Sequence, residues 1–267
     1  MKIEAATLAG GKVNQDYYAY GETYALVLDG ASSFLPEQTS IDAATYVKAL
    51  GEALSAQLED CALNGIPDVV AAAIKKITEK YELNEESSPN STVVIAKWDQ
   101  EKVATYVLGD SSCVIVNVGG EITEITDSRM AQFGDKMRQT YKCRLSAGSG
   151  FDDGHKQLLH KLQSEQKLHR NTRVGYWIAG ANSVAGLNGL LNIFSRATVR
   201  EVWLMSDGGL VSFQSASRQL REAIPKIPVD QMLTKQHEAE SKDLKGVSFP
   251  RSKLHDDKTI VVIKTDN

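Results

Sequence analysis

A chain of 267 residues, 42% hydrophobic and 24% charged, has the composition of a globular protein and buries a sizeable core, which argues against a disordered or fibrous class. A formal net charge of −4 argues against a general nucleic-acid binder, whose surface would carry a basic face. The three cysteines, Cys61, Cys113 and Cys143, are widely spaced without a CxxC pair, so they indicate neither a disulfide framework nor a zinc site. No uncharged apolar run approaches ~18 residues, and the reading is one cytoplasmic domain over residues 1–267 without a membrane partner.

In chain order, short apolar runs rich in β-branched and aromatic residues predict strands at 24–28, 92–98, 103–108, 113–118, 202–205 and 259–264. Between the first two, apolar residues recur at helical spacing, at Ala44, Val47, Leu50, Leu54 and Leu58, then at Val70, Ile74, Ile77 and Tyr81. Pro67 suits an early position of the second helix, and the polar segment 84–90 reads as a loop. The three strands that follow are separated by gaps short enough for hairpins, which implies antiparallel pairing rather than βαβ units. From 128 to 173 the chain turns polar and basic. A helix, a mobile loop and a second helix are expected there, with 156–168 helical and the glycine-rich 147–154 lying over the active site. A last helix is expected at 215–223, then a charged loop through Pro250.

Aspartates mark the strand ends. Asp29-Gly30 follows YALVL, Gly109-Asp110 follows VATYVL, Asp207-Gly208 follows VWLMS, and Asp256-Asp257 precedes KTIVVI. An Asp-Gly pair alone is a turn signal, but carboxylates repeated at strand termini suit hard divalent cations, which take several oxygen ligands at once. Asp16 is a fifth candidate. The five histidines show no HExxH pairing, lie largely in polar segments and read as surface residues. No GxSxG, GxxxxGK or GxGxxG is present to support a serine nucleophile or a phosphate-binding loop.

The ordered segments NQD, LVLDGAS, NSTVVIA, VLGDSS, LMSDGGL and HDDKTIVVI resemble the motifs of the type 2C metal-dependent protein phosphatases, and residues 171–190 resemble a segment of a bacterial branch. The resemblance implies an α+β fold, a four-layer α-β-β-α sandwich of two antiparallel sheets flanked by helices. It also implies hydrolysis of phosphoserine or phosphothreonine in a phosphorylated protein substrate, by a monomer carrying two Mg2+ or Mn2+ ions and a weaker third. By motif, Asp29 would bridge two metals, the Gly30 carbonyl would bind the second, and Asp207 and Asp256 would complete the first. Asp110, with Asp207, would hold the third. Asp16 and Asp29 would carry catalysis, Asp16 mostly through water near the second metal. Neighbouring side chains in extended chain point opposite ways, so only one of Asp256 and Asp257 binds, and the motif selects Asp256.

The chain also departs from the family pattern. Ala31-Ser32-Ser33 stand where many members have histidine and glycine, and Gln15 stands where many have glutamate. The arginine that grips substrate phosphate in eukaryotic members has no clear counterpart, and Lys12 is the nearest candidate, a point charge rather than a fork. Two further readings stay open: a catalytically weak regulatory relative, and a hydrolase of small phosphoesters.

Overall fold

A computed structural model describes residues 1–266. In chain order the elements begin with β1 (Lys2–Leu8), β2 (Asp16–Tyr20), β3 (Tyr24–Ala31), α1 (Ala43–Leu58), α2 (Ile66–Lys80), β4 (Asn90–Ser91), β5 (Val93–Trp98) and β6 (Lys102–Leu108). They continue with β7 (Ser112–Asn117), β8 (Ile122–Thr126), α3 (Asp135–Ser146), α4 (Asp153–His169), β9 (Leu190–Ser195), β10 (Val199–Met205), α5 (Asp207–Leu220), α6 (Val229–Lys242) and β11 (Lys258–Lys264). One sheet runs β1-β11-β10-β7-β8, the other β2-β3-β5-β6-β9 with β4 paired to β3. Each of these pairings is antiparallel.

Strand alternation explains the layering. In β3, Leu26 and Leu28 join Val47, Leu50 and Leu54 of α1 and Ile74 of α2 in an outer core. The alternate residues Ala25 and Val27 face the other way, meeting Val202, Leu204, Val261 and Ile263 in the core between the sheets. The opposite outer layer packs Trp203, Ile260 and Val262 against Phe213 of α5 and Met232 and Leu233 of α6. The result is the expected α-β-β-α sandwich of two antiparallel sheets.

Several elements differ from expectation. β1, β2, β8 and β9 fall in stretches with weak alternation: every residue of β8 is exposed or half-buried, so its sequence carries little apolar pattern. The last predicted helix begins at Asp207, and α6 occupies part of the expected charged loop. Its apolar stripe stops after Val229, Met232 and Leu233 because the helix buries the polar Gln236 and Glu240 instead, which removes the hydrophobic period. Helices α3 and α4 form the insert around a small cluster of Tyr141, Leu145 and Leu162. The loop 147–154 does not cover the cleft described below. It packs against 245–246, with Phe151 and Leu145 around Gly246 and Lys245 beside Gly150. His155, expected at the surface, is buried: its Nε2 lies 2.8 Å from the Ser252 carbonyl and its ring meets Tyr141 and Phe151 edge-on.

Candidate active site

The buried run of β3 ends at Asp29, which registers directly opposite Asp16 on β2. Opposed residues of paired strands share a face, and this face is the one that Ala25 and Val27 turn to the inter-sheet core. Both residues therefore turn toward the space between the sheets. Gly30 turns to the other side, where an added Cβ would stand 2.5 Å from the Gln15 carbonyl oxygen and 2.9 Å from Val47 Cγ1. The second sheet brings Asp207 at the end of β10 and Asp256 just before β11, while Asp110 sits in the tight turn from β6 to β7 that links the sheets, with Gly109 at φ +82°.

Asp29, Asp110, Asp207 and Asp256 line one cleft of about 830 Å³. Asp16 is not among its lining residues. It lies buried beneath the floor, where its Oδ2 accepts a 2.8 Å hydrogen bond from the Ser206 hydroxyl and its Oδ1 is buried without a partner among the described residues. Lost hydration, then repulsion from Asp207, Asp16, Asp256 and Asp110, holds Asp29 well above the usual carboxylate range. Asp207 is raised to about 7 by desolvation and then by Asp256 and Asp110, partly offset by a hydrogen bond with Asp29. Asp16 is likewise pushed to about 7, mainly by burial. Carboxylates crowded this closely, with one orphaned oxygen among them, form an all-oxygen donor set that fits hard divalent cations.

The backbone explains the glycines. An added Cβ at Gly208 would meet the Asp257 carbonyl oxygen at 2.1 Å and one at Gly209 the Thr259 carbonyl oxygen at 2.1 Å. The glycines after Asp207 thus let the first turn of α5 press against the start of β11, and the Asp207-Gly208 pair is not a hairpin turn. Gly10 does the same from the β1–β2 loop, where a Cβ would lie 2.4 Å from the Asp256 carbonyl carbon.

Asp256 and Asp257 divide their work. Asp256 lines the cleft and accepts a 2.7 Å bond from Lys253 Nζ. Asp257 faces away and accepts the backbone N–H of Gly10 at 2.7 Å and of Gln15 at 2.8 Å, tying down the loop that leads to Asp16. Lys12 is exposed and does not line the cleft. The basic residues that do are Lys253, Arg138 of α3, and Lys167 and Arg170 at the end of α4, beside the apolar Phe34, Leu35, Leu159, Leu162 and Ile178. Sequence reasoning missed these because single basic residues in a polar insert carry no period; the one available hint was Lys253 three places before Asp256.

The protein phosphatase 2C family model matches residues 5–245. No curated protein sequence matches the chain. Among solved structures, the chain resembles the serine/threonine phosphatase PstP/Ppp of Mycobacterium tuberculosis, with 16% identity, TM-score 0.59, and 100% of this chain and 99% of that one covered. It also resembles Stp1 of Staphylococcus aureus, with 14% identity, TM-score 0.59, and 100% and 95% covered. The catalytic domain of PstP in complex with 2 manganese ions has 17% identity, TM-score 0.57, and 98% and 96% covered. These likenesses show the shared fold, and the match across most of the sequence shows that the chain belongs to the protein phosphatase 2C family of metal-dependent serine/threonine phosphatases.

Proposed function

We propose that this cleft removes phosphate from serine and threonine side chains of protein substrates. In this reading Asp29, the Gly30 carbonyl, Asp207 and Asp256 hold two manganese or magnesium ions, Asp110 with Asp207 holds a weaker third, and Asp16 supports Asp29 from beneath. The observation that carries it is the convergence of Asp29, Asp110, Asp207 and Asp256 on one cleft; the two manganese ions in the PstP catalytic domain support the ion count. Bound cations supply an activated water and offset charge on the phosphoryl oxygens. The protein's own groups do the rest. Asp257 fixes the loop behind the floor through its two backbone hydrogen bonds. Lys253 and Arg138 bring positive charge to where the phosphate oxygens would lie. The apolar wall from Phe34, Leu159 and Ile178 seats side chains flanking the phosphoresidue. A cleft of about 830 Å³ is wider than a phosphoryl group needs, which favours a protein substrate over a small phosphoester. On the same reading the protein acts as a cytoplasmic monomer and a single domain, insert included.

The test is hydrolysis of a phosphopeptide panel with Mn2+, Mg2+ or chelator. Turnover is expected only with the cation, and chelator-resistant turnover would overturn the reading. Asp256→Ala should lower kcat/KM by at least roughly a hundredfold, the loss of one transition-state contact in a preorganised centre.

A further inference from the structure

On the far side of the segment that carries Asp256, a second group of metal-ligating side chains comes together. His237 and Glu240 stand three residues apart on α6 and share one face. His255 reaches them from the segment before β11, its Nδ1 3.0 Å from Glu240 Oε2. The two imidazoles stack with centroids 4.1 Å apart and planes 17° apart. One donor atom from each of the three residues lies within 4.8 Å of the others. His237 Nδ1 is buried with no hydrogen-bond partner among the described residues, a rare condition for a buried polar atom and one that a ligand relieves. From this geometry we propose that His237, Glu240 and His255 bind one zinc-like divalent cation, separate from the oxygen-ligated centre.

The donor chemistry selects the ion. Two imidazoles and one carboxylate suit zinc and other borderline cations, whereas manganese and magnesium prefer oxygen. Zinc–ligand lengths of roughly 2.0–2.2 Å at tetrahedral angles put donor atoms roughly 3.4 Å apart. The His255–Glu240 contact of 3.0 Å therefore opens slightly, and half-buried His237 moves in. Glu240 is already oriented by Gln236 Nε2, 3.0 Å from Oε1, and by Lys258 Nζ, 2.8 Å from Oε2, the outer support that ligating carboxylates usually have. The Lys258 ammonium opposes a second cation, so affinity falls below that of closed structural zinc sites. Because His255 directly precedes Asp256, the ion would pin to α6 the segment that presents a cleft carboxylate.

Zinc chloride titrated into the 267-residue chain saturated with Mg2+ tests this by calorimetry, with 15N spectra of the histidine rings. Wild type should bind one zinc more than His237→Ala, and the rings of His237 and His255 should shift. His237→Ala should keep its Mn2+-dependent hydrolysis of an aryl phosphate. Should the alanine variant misfold, His237→Gln is expected to show the same loss of one zinc. Equal zinc stoichiometry in wild type and a folded variant, or unshifted rings with zinc taken up elsewhere, overturns the proposal.

Discussion

At the scale of single residues, the Ser206 hydroxyl holds several elements together: it donates to Asp16 Oδ2 at 2.8 Å, accepts the Thr259 N–H at 3.0 Å and caps α5 through the Gly209 N–H at 3.4 Å. Ser206→Ala removes the cap, worth about 1 kcal/mol, and leaves a buried N–H and a carboxylate oxygen unpaired, worth about 1–3 kcal/mol. Urea unfolding should show a loss of that order, and unchanged stability would mean that water replaces the hydroxyl. Asp257→Asn substitutes an NH2 group for one of two oxygens that each accept a backbone N–H. It should lower both stability and manganese affinity, as followed by thermal unfolding with and without Mn2+. The buried Asp16 makes a pH prediction. Its carboxyl titrates at about 7 in the fold and near 3.9 when unfolded. Between these values the native state binds more protons than the unfolded chain, so stability falls as pH rises. Asp29 and Asp207 act in the same direction, Asp207 with a smaller share because water reaches its open side and screens it. In chelator, Tm should therefore be higher at about pH 5 than at about pH 8, and Mn2+ should narrow the gap, since a bound cation displaces the protons. A flat profile in chelator would show that burial and mutual repulsion do not raise these carboxyls in the fold.

At the scale of elements, α4 forms the cleft wall, with Leu159, Leu162 and Lys167 lining it and Lys167 Nζ 5.7 Å from the centre of the Phe34 ring. Lys167→Ala should raise KM for acidic phosphopeptides about fivefold, on the order of 1 kcal/mol for a half-buried charge at the cleft rim, while an aryl phosphate is turned over as before. Equal effects on both substrates would make Lys167 structural. The contrast between α4 and α6 also shows which parts were legible in sequence. Strands β5, β6 and β7, and helices α1 and α2, bury continuous runs or one broad apolar face, so their patterns are plain. The second half of α6 buries Gln236 and Glu240 instead of apolar residues, Glu240 bonding Gln236, His255 and Lys258, and a polar contact between elements leaves no hydrophobic period. The aspartates were readable because their chemistry repeats at strand ends. Lys253 and Arg138 were not, because only the folded chain sets them beside those aspartates.

At the scale of the molecule, β11 lies between the edge strand β1 and β10 in its sheet, and its Val261 and Ile263 fill the core between the sheets. Ile263→Ala should cost about 2–5 kcal/mol, as for other large-to-small changes in packed cores, measured by urea unfolding. The same strand draws the chain ends together: β1 pairs with β11 from Lys2 opposite Lys264 to Leu8 opposite Lys258, and the N-terminal amine meets Asp266 at 2.8 Å. This closure orders events during synthesis. While β11 is still inside the ribosome, β1 and β10 lack the strand that separates them, Ser206 lacks its Thr259 partner and the cleft lacks Asp256. Until β11 emerges, a growing chain thus displays two unpaired strand edges that partner chains or chaperones can occupy.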